Sequence, residues 1–286
     1  VERLCPTAHR RSQTHHLGQR AGDQRRDGVV AQLQAQRDAR RDRVRVVHRR
    51  AGTGDDPVLL QSAGHGICEI LKRHGVTVYV VDGNHENHDY LSDPTNFEVD
   101  SNGIKWFIVG GIVSRNLALF PRGFSWSDKY NTYLAVGGAA SIDRYARIPN
   151  RSWWAGEQIT PEDAERIISA LPENVDVMFS HEAPYGVPAL DRHSAMTADW
   201  WDEEDIRYAD STRVNFDRIF QAARPKLAMH GHWHLFADER VDFYPADGEP
   251  FRSHIVSLDR DGRNANLLFL HPETRTVGIL PRREGE

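Results

Sequence analysis

In "VTVYVVDGNHENHD" (Val76–Asp89) an unbroken run of β-branched, apolar and aromatic residues stops, and two Asp, two Asn, two His and one Glu follow almost at once. The run is too short and too uniformly apolar for an amphipathic helix; it reads as a buried strand. The same pattern recurs in "VMFSHEAP", where His181 follows the strand, and in "LAMHGHWH", which ends in His230, His232 and His234. In open α/β sheets the ends of strands converge on a common crevice, where ligands bind. Three polar clusters far apart in the chain are thereby expected in one place. Imidazole and amide groups gathered there suit a borderline divalent metal such as Zn, Mn or Fe. Each cluster alone has a plainer reading. His181 could be a hydrogen-bonded structural histidine, and His230, His232 and His234 could alternate along one strand face. Gly231 favours the site, because it lets backbone approach closely where two imidazoles would turn inward.

The remaining chain from Gly64 onward is patterned as a globular domain. "HGICEILKRHG" has Ile67, Ile70 and Leu71 at helical spacing and closes on Gly75. "IKWFIVGGI" and "TYLAVGGAA" read as strands running into paired glycines, and "TPEDAERIISAL" as a helix with Thr160 at its cap and Pro161 at its first position. "RVNFDRIFQAA" is a further helix, and "SHIVSL", "ANLLFL" and "TVGIL" are three late strands. Strands alternate with helices in the middle and cluster at the end, which predicts a mixed α/β class with two sheets. No apolar run reaches the roughly 18 residues of a membrane span, and no apolar segment near the start resembles a secretory signal. Two cysteines, Cys5 and Cys68, make no disulfide framework. Together these features predict a cytoplasmic protein with no membrane partner.

The first quarter departs from this pattern. Residues 1–50 carry 13 Arg against 5 acids, so with a net charge of -5 overall the rest of the chain is about -13. All 26 aromatic residues lie at or beyond Tyr79, and every Lys at or beyond Lys72. Three readings of residues 1–63 stand: a disordered basic arm, a polar helix over Val29–Val47, or a GC-rich gene read out of frame. Residues 64–286 form the expected catalytic domain. Its acidic body argues against a nucleic-acid surface.

"GNHE" (Gly83–Glu86), His181 after its strand and "GHWH" (Gly231–His234) together resemble the third, fourth and fifth motifs of the calcineurin-like metallophosphoesterases, in order and in spacing. The resemblance implies a β-sandwich of two sheets flanked by helices in four layers. It also implies a pair of divalent metal ions, Mn, Fe or Zn, that hold a hydroxide in line with the phosphorus of a phosphomonoester or phosphodiester. By that pattern Asn84, His181 and His232 bind one metal, and His234 helps bind the other. His85 acts as acid and phosphate clamp. Glu86, Asp82 and His230 stand behind these groups and orient them, and His88 and Asp89 are loop residues or further supports. The family's first motif, D-x-H, is missing, and for the bridging carboxylate of the second the best candidate is Asp55 in "GTGDDP". A chain lacking those ligands is expected to hold two metals poorly. A non-catalytic relative serving as a binding module is therefore the alternative to a hydrolase. Trp126, Trp153, Trp154, Arg144, Trp200 and Trp201 fall between the motifs, either stacking on substrate or packing insertions onto the body. The acids in "DWWDEEDIRYAD" favour a small phosphoester or a phosphoprotein over a long nucleic acid.

Overall fold

The computed structural model describes residues 66–260 and 263–280, together with the backbone of two earlier strands, β1 (Gly28–Gln36) and β2 (Arg43–Ala51). These two pair antiparallel, so the helix considered over Val29–Val47 is replaced by strands. The boundary expected at residue 63 and the candidate ligand Asp55 both lie outside the described residues.

Next along the chain come α1 (66–73), β3 (Val78–Val80), α2 (His88–Ser92), β4 (Phe97–Val99), β5 (Lys105–Val109) and β6 (Ile112–Leu119). They are followed by β7 (Phe124–Ser127), β8 (Thr132–Val136), α3 (Pro161–Ser169), β9 (Val177–Ser180), α4 (Pro188–Thr197) and α5 (Glu203–Ala223). The last are β10 (Leu227–His230), β11 (Ala237–Phe243), β12 (Phe251–Ser257), β13 (Leu267–His271) and β14 (Thr276–Ile279). The expected helix after Thr160 is α3, with a complete capping box between Thr160 and Asp163. The helix expected at "RVNFDRIFQAA" starts earlier, as α5, because Glu203, Glu204 and Asp205 occupy its first turn and complement the exposed backbone N–H groups there.

The class is mixed α/β, as expected. A central sheet runs β11-β12-β10-β9-β8-β7, with β8, β9, β10 and β12 mutually parallel. Parallel neighbours need long crossovers, and α3 and α5 lie in the ones between β8 and β9 and between β9 and β10. Side chains alternate along each strand. Leu134, Val136, Met178 and Ala228 join Ile167, Phe216, Ile219 and Phe220 of α3 and α5 in one core. Tyr133, Ala135, Val177, Phe179, Leu227 and Met229 point the other way, toward Leu268 and Leu270 of β13 and toward Val81 and Phe120. The second layer of the sandwich is built from two sheets, β1-β2-β13-β14 and β3-β6-β5-β4. Cys68 and Leu71 of α1 and Tyr90 and Leu91 of α2 cover the latter sheet through Val78, Val80, Phe97 and Phe107. The paired glycines after β5 are a tight hairpin turn, Gly110 at φ 59° and Gly111 at φ 76°, a conformation that a side chain would strain.

Candidate active site

β3, β9 and β10 deliver the three polar clusters to one end of the sandwich, where a cavity of about 720 Å³ is lined by Asn84, His85, Glu182, His232 and His234 among others. Asn84 and His181 are buried against each other, with His181 Nε2 donating to Asn84 Oδ1 at 2.8 Å. The rings of His181 and His232 lie 4.9 Å apart between centroids. Asn84, His181 and His232, read from sequence as one ligand set, are therefore neighbours. His234 is exposed in the same cavity.

Backbone geometry explains how two imidazoles leave one strand end. β10 stops at His230, which rules out three histidines along a strand face. The Trp233 N–H then donates to the Gly231 carbonyl at 2.8 Å, closing a three-residue turn about His232. His232 and His234 adopt left-handed backbone at φ 68° and φ 53°. The strain falls on the histidines themselves and not on Gly231, contrary to expectation; such strain costs on the order of 1 kcal/mol or more per residue and is tolerated where function fixes the side chain.

Asn84 is aimed by a relay. Its Nδ2 donates to Ser141 Oγ at 3.0 Å, and Ser141 in turn donates to the buried carboxylate of Glu157 at 2.7 Å through Oγ and 2.6 Å through its N–H. Since the amide nitrogen is committed to Ser141, the amide oxygen faces His181. Close approach is required on the other side: a Cβ at Gly83 would sit 2.7 Å from the His181 ring.

Asp82, Glu86, His88 and His230 are all buried around these groups. Asp82 receives a two-pronged contact from Arg122, at 2.9 Å from Nε and 2.6 Å from Nη2. Burial raises the Asp82 carboxyl, but Arg122 and His88 outweigh it and hold it below the usual carboxylate range. Glu86 Oε2 accepts from the Gly83 N–H at 2.6 Å. Burial, with Asp82 adding to it, pushes the Glu86 carboxyl up to about 8. His88 Nε2 donates to the Gly83 carbonyl at 2.9 Å, and Asp89 accepts from the Trp154 indole at 3.0 Å, so both brace the loop. His230 is buried with Nδ1 3.0 Å from the Gly231 carbonyl and Nε2 without a hydrogen-bond partner. Burial drives its pKa down to about 4.

Of the aromatic residues between motifs, Trp126 stacks within the core on Phe120 and Tyr133, and Trp154 is buried. Trp153 donates to Glu157 and Tyr208, while Arg144 pairs with Glu204 and lies over the Tyr208 ring. Trp200 and Trp201 line the cavity. Sequence reasoning missed Ser141, Asp143, Arg147, Glu157 and Glu182. Glu182 Oε2 is 3.7 Å from His232 Nε2, and its Oε1 accepts from the Trp233 indole at 3.0 Å. Asp143 and Arg147 stand four apart, a spacing that was open to reading as an ion pair.

Residues 48–236 match the family model of the calcineurin-like phosphoesterases, a span that takes in all three histidine motifs and most of the chain. The chain belongs to the calcineurin-like phosphoesterase family. No curated protein matches it. Members of the family use divalent metals, and the donor set here fits that requirement in part. Asn84, His181 and His232 offer one amide oxygen and two imidazoles, suited to a borderline divalent ion. Among the described residues no three His, Cys, Asp or Glu side chains group closely enough to hold a metal by themselves.

Proposed function

We propose that the chain hydrolyses small phosphoesters in a metal-dependent reaction, and that Asn84, His181 and His232 hold the metal. The observation that carries this reading is the meeting of those three side chains at 2.8 Å and 4.9 Å separations beside the cavity that His85 lines. A divalent ion bound there would supply Lewis-acid stabilisation of phosphoryl charge and an activated water. His85 would contact the phosphoryl group and pass a proton to the leaving oxygen, a role worth roughly 10²- to 10⁴-fold in rate. His234 would assist a second ion where its remaining ligands are supplied. The cavity volume suits an organic phosphoester of moderate size, with Trp200 and Trp201 available to its leaving group. That volume and the acidic body favour a small molecule or a phosphorylated side chain over a long nucleic acid. Among the described residues no helix is long and apolar enough to cross a membrane. The free Cys68 thiol supports a reducing, cytoplasmic setting.

The test is hydrolysis of an aryl phosphate with added Mn²⁺, alongside metal content. His85→Ala should lower turnover by at least tenfold while leaving bound metal unchanged. His181→Ala and His232→Ala should lose metal and rate together. Full metal occupancy in either of the latter variants removes that residue from the ligand set. The partial donor set favours one other reading, a non-catalytic binding module, which would show phosphate binding without turnover.

A further inference from the structure

We infer that Arg147 is the residue that grips the phosphoryl oxygens of the substrate, with Asp143 holding it in place; the inference rests on the phosphoesterase reading above. Arg147 is nearly buried, its side chain 10% exposed, and it lines the cavity next to His85. Its five N–H groups can be accounted for one by one. Nε donates to Asp143 Oδ1 at 2.7 Å, and Nη2 donates to Asp143 Oδ2 at 2.8 Å. Nη1 donates to the Ser152 carbonyl at 3.2 Å. The remaining two approach opposite nitrogens of one ring, Nη1 at 2.9 Å from His85 Nδ1 and Nη2 at 3.1 Å from His85 Nε2.

An imidazole offers at most one acceptor nitrogen, because its other nitrogen carries a hydrogen. One of these two contacts is therefore not a hydrogen bond, and Arg147 holds at least one N–H beside His85 with no acceptor for it. Nη1 and Nη2 point adjacent N–H groups toward this ring, and the one that His85 does not accept is open to a phosphoryl oxygen. The other guanidiniums of the cavity are placed differently. Arg213 is committed to the Ala183 and Pro184 carbonyls and lies between the Tyr185 and Trp233 rings, while Arg260 and Arg263 are exposed. Asp143 keeps the Arg147 fork turned toward His85, so it acts as a positioning residue.

The experiment titrates inorganic phosphate into the full chain in Mn²⁺ buffer by calorimetry, with aryl phosphate kinetics in parallel. Arg147→Ala should weaken phosphate binding by about 10- to 100-fold. Arg147→Lys should recover only part of this, since a point charge lacks the fork. Asp143→Asn should fall between native and Arg147→Ala, whereas Arg115→Ala, at an exposed ion pair with Glu98, should match native. Native-like phosphate affinity in both Arg147 variants, or no phosphate binding by the native chain, overturns the assignment. Phosphate binding that depends on Arg147 without any turnover upholds it and removes the phosphoesterase reading instead. Turnover whose KM and phosphate affinity ignore Arg147 removes this assignment alone.

Discussion

His230 and His232 stand two residues apart and meet opposite surroundings: one is sealed beneath the strand end, the other is turned into the cavity. Burial lowers the His230 pKa from 6.5 to about 4, so the folded chain keeps it neutral where the unfolded chain would take up a proton. The unfolded state therefore binds more protons between those values. The contribution is present above pH 6.5 and is lost as pH falls toward 4; its size is roughly 3 kcal/mol. In chelator-containing buffer, His230→Leu should flatten the decline of unfolding free energy across that window, as read by urea titration at several pH values. Parallel acid limbs for native and variant would show that His230 does not govern it. Residue by residue, legibility followed distance along the chain. Asn84, His85, His181, His232 and His234 could be read because they follow directly on three apolar strands, β3, β9 and β10. Glu182, Ser141 and Arg147 could not, because what brings them to the site is a neighbour 50 to 62 residues away: His232, Asn84 and His85 respectively.

Elements with strong local signals were readable, and those defined by pairing were not. α3 announces itself through Thr160, Pro161 and Asp163, and Thr160→Ala should cost about 1 kcal/mol, seen as a lower urea midpoint with an unchanged slope. An unchanged midpoint would mean that the cap contributes nothing to the folded chain. The strands β8, β9 and β10 were legible as apolar runs because the central sheet is buried on both faces. β7 and β11 were not, since they lie at the sheet edges and carry polar residues on their open side. Nor did the sequence reveal that β10 would end at His230. That end point decides that His232 and His234 belong to a turn, and it depends on the register with β9 and β12.

At the scale of the whole molecule, the family's first motif finds no place in the two early strands. β1 and β2 contain no acidic residue, so neither can supply a D-x-H motif. With Asn84, His181 and His232 as the proposed ligand set, purified protein should bind one divalent ion per chain; two tightly held ions by elemental analysis would show that further ligands complete a second site. The composition of residues 1–63 carries a second expected outcome. Another reading frame of the same DNA should encode an apolar strand ending in D-x-H and a second ending in G-D, joining the present frame between Arg50 and Ile70. Absence of both motifs from all three forward frames ends that explanation. The amino-acid sequence alone determined the class, the buried strands and the capped helix, because each rests on contacts within one local stretch or on a pattern of period two or 3.6, and it showed three histidine motifs that resemble those of the family. Only the tertiary structure decided that Arg147 faces His85, that Ser141 and Glu157 aim Asn84, and that Trp126 is core while Trp200 and Trp201 line the cavity. These depend on which distant surfaces meet, and sequence order does not encode that where the partner lies dozens of residues away.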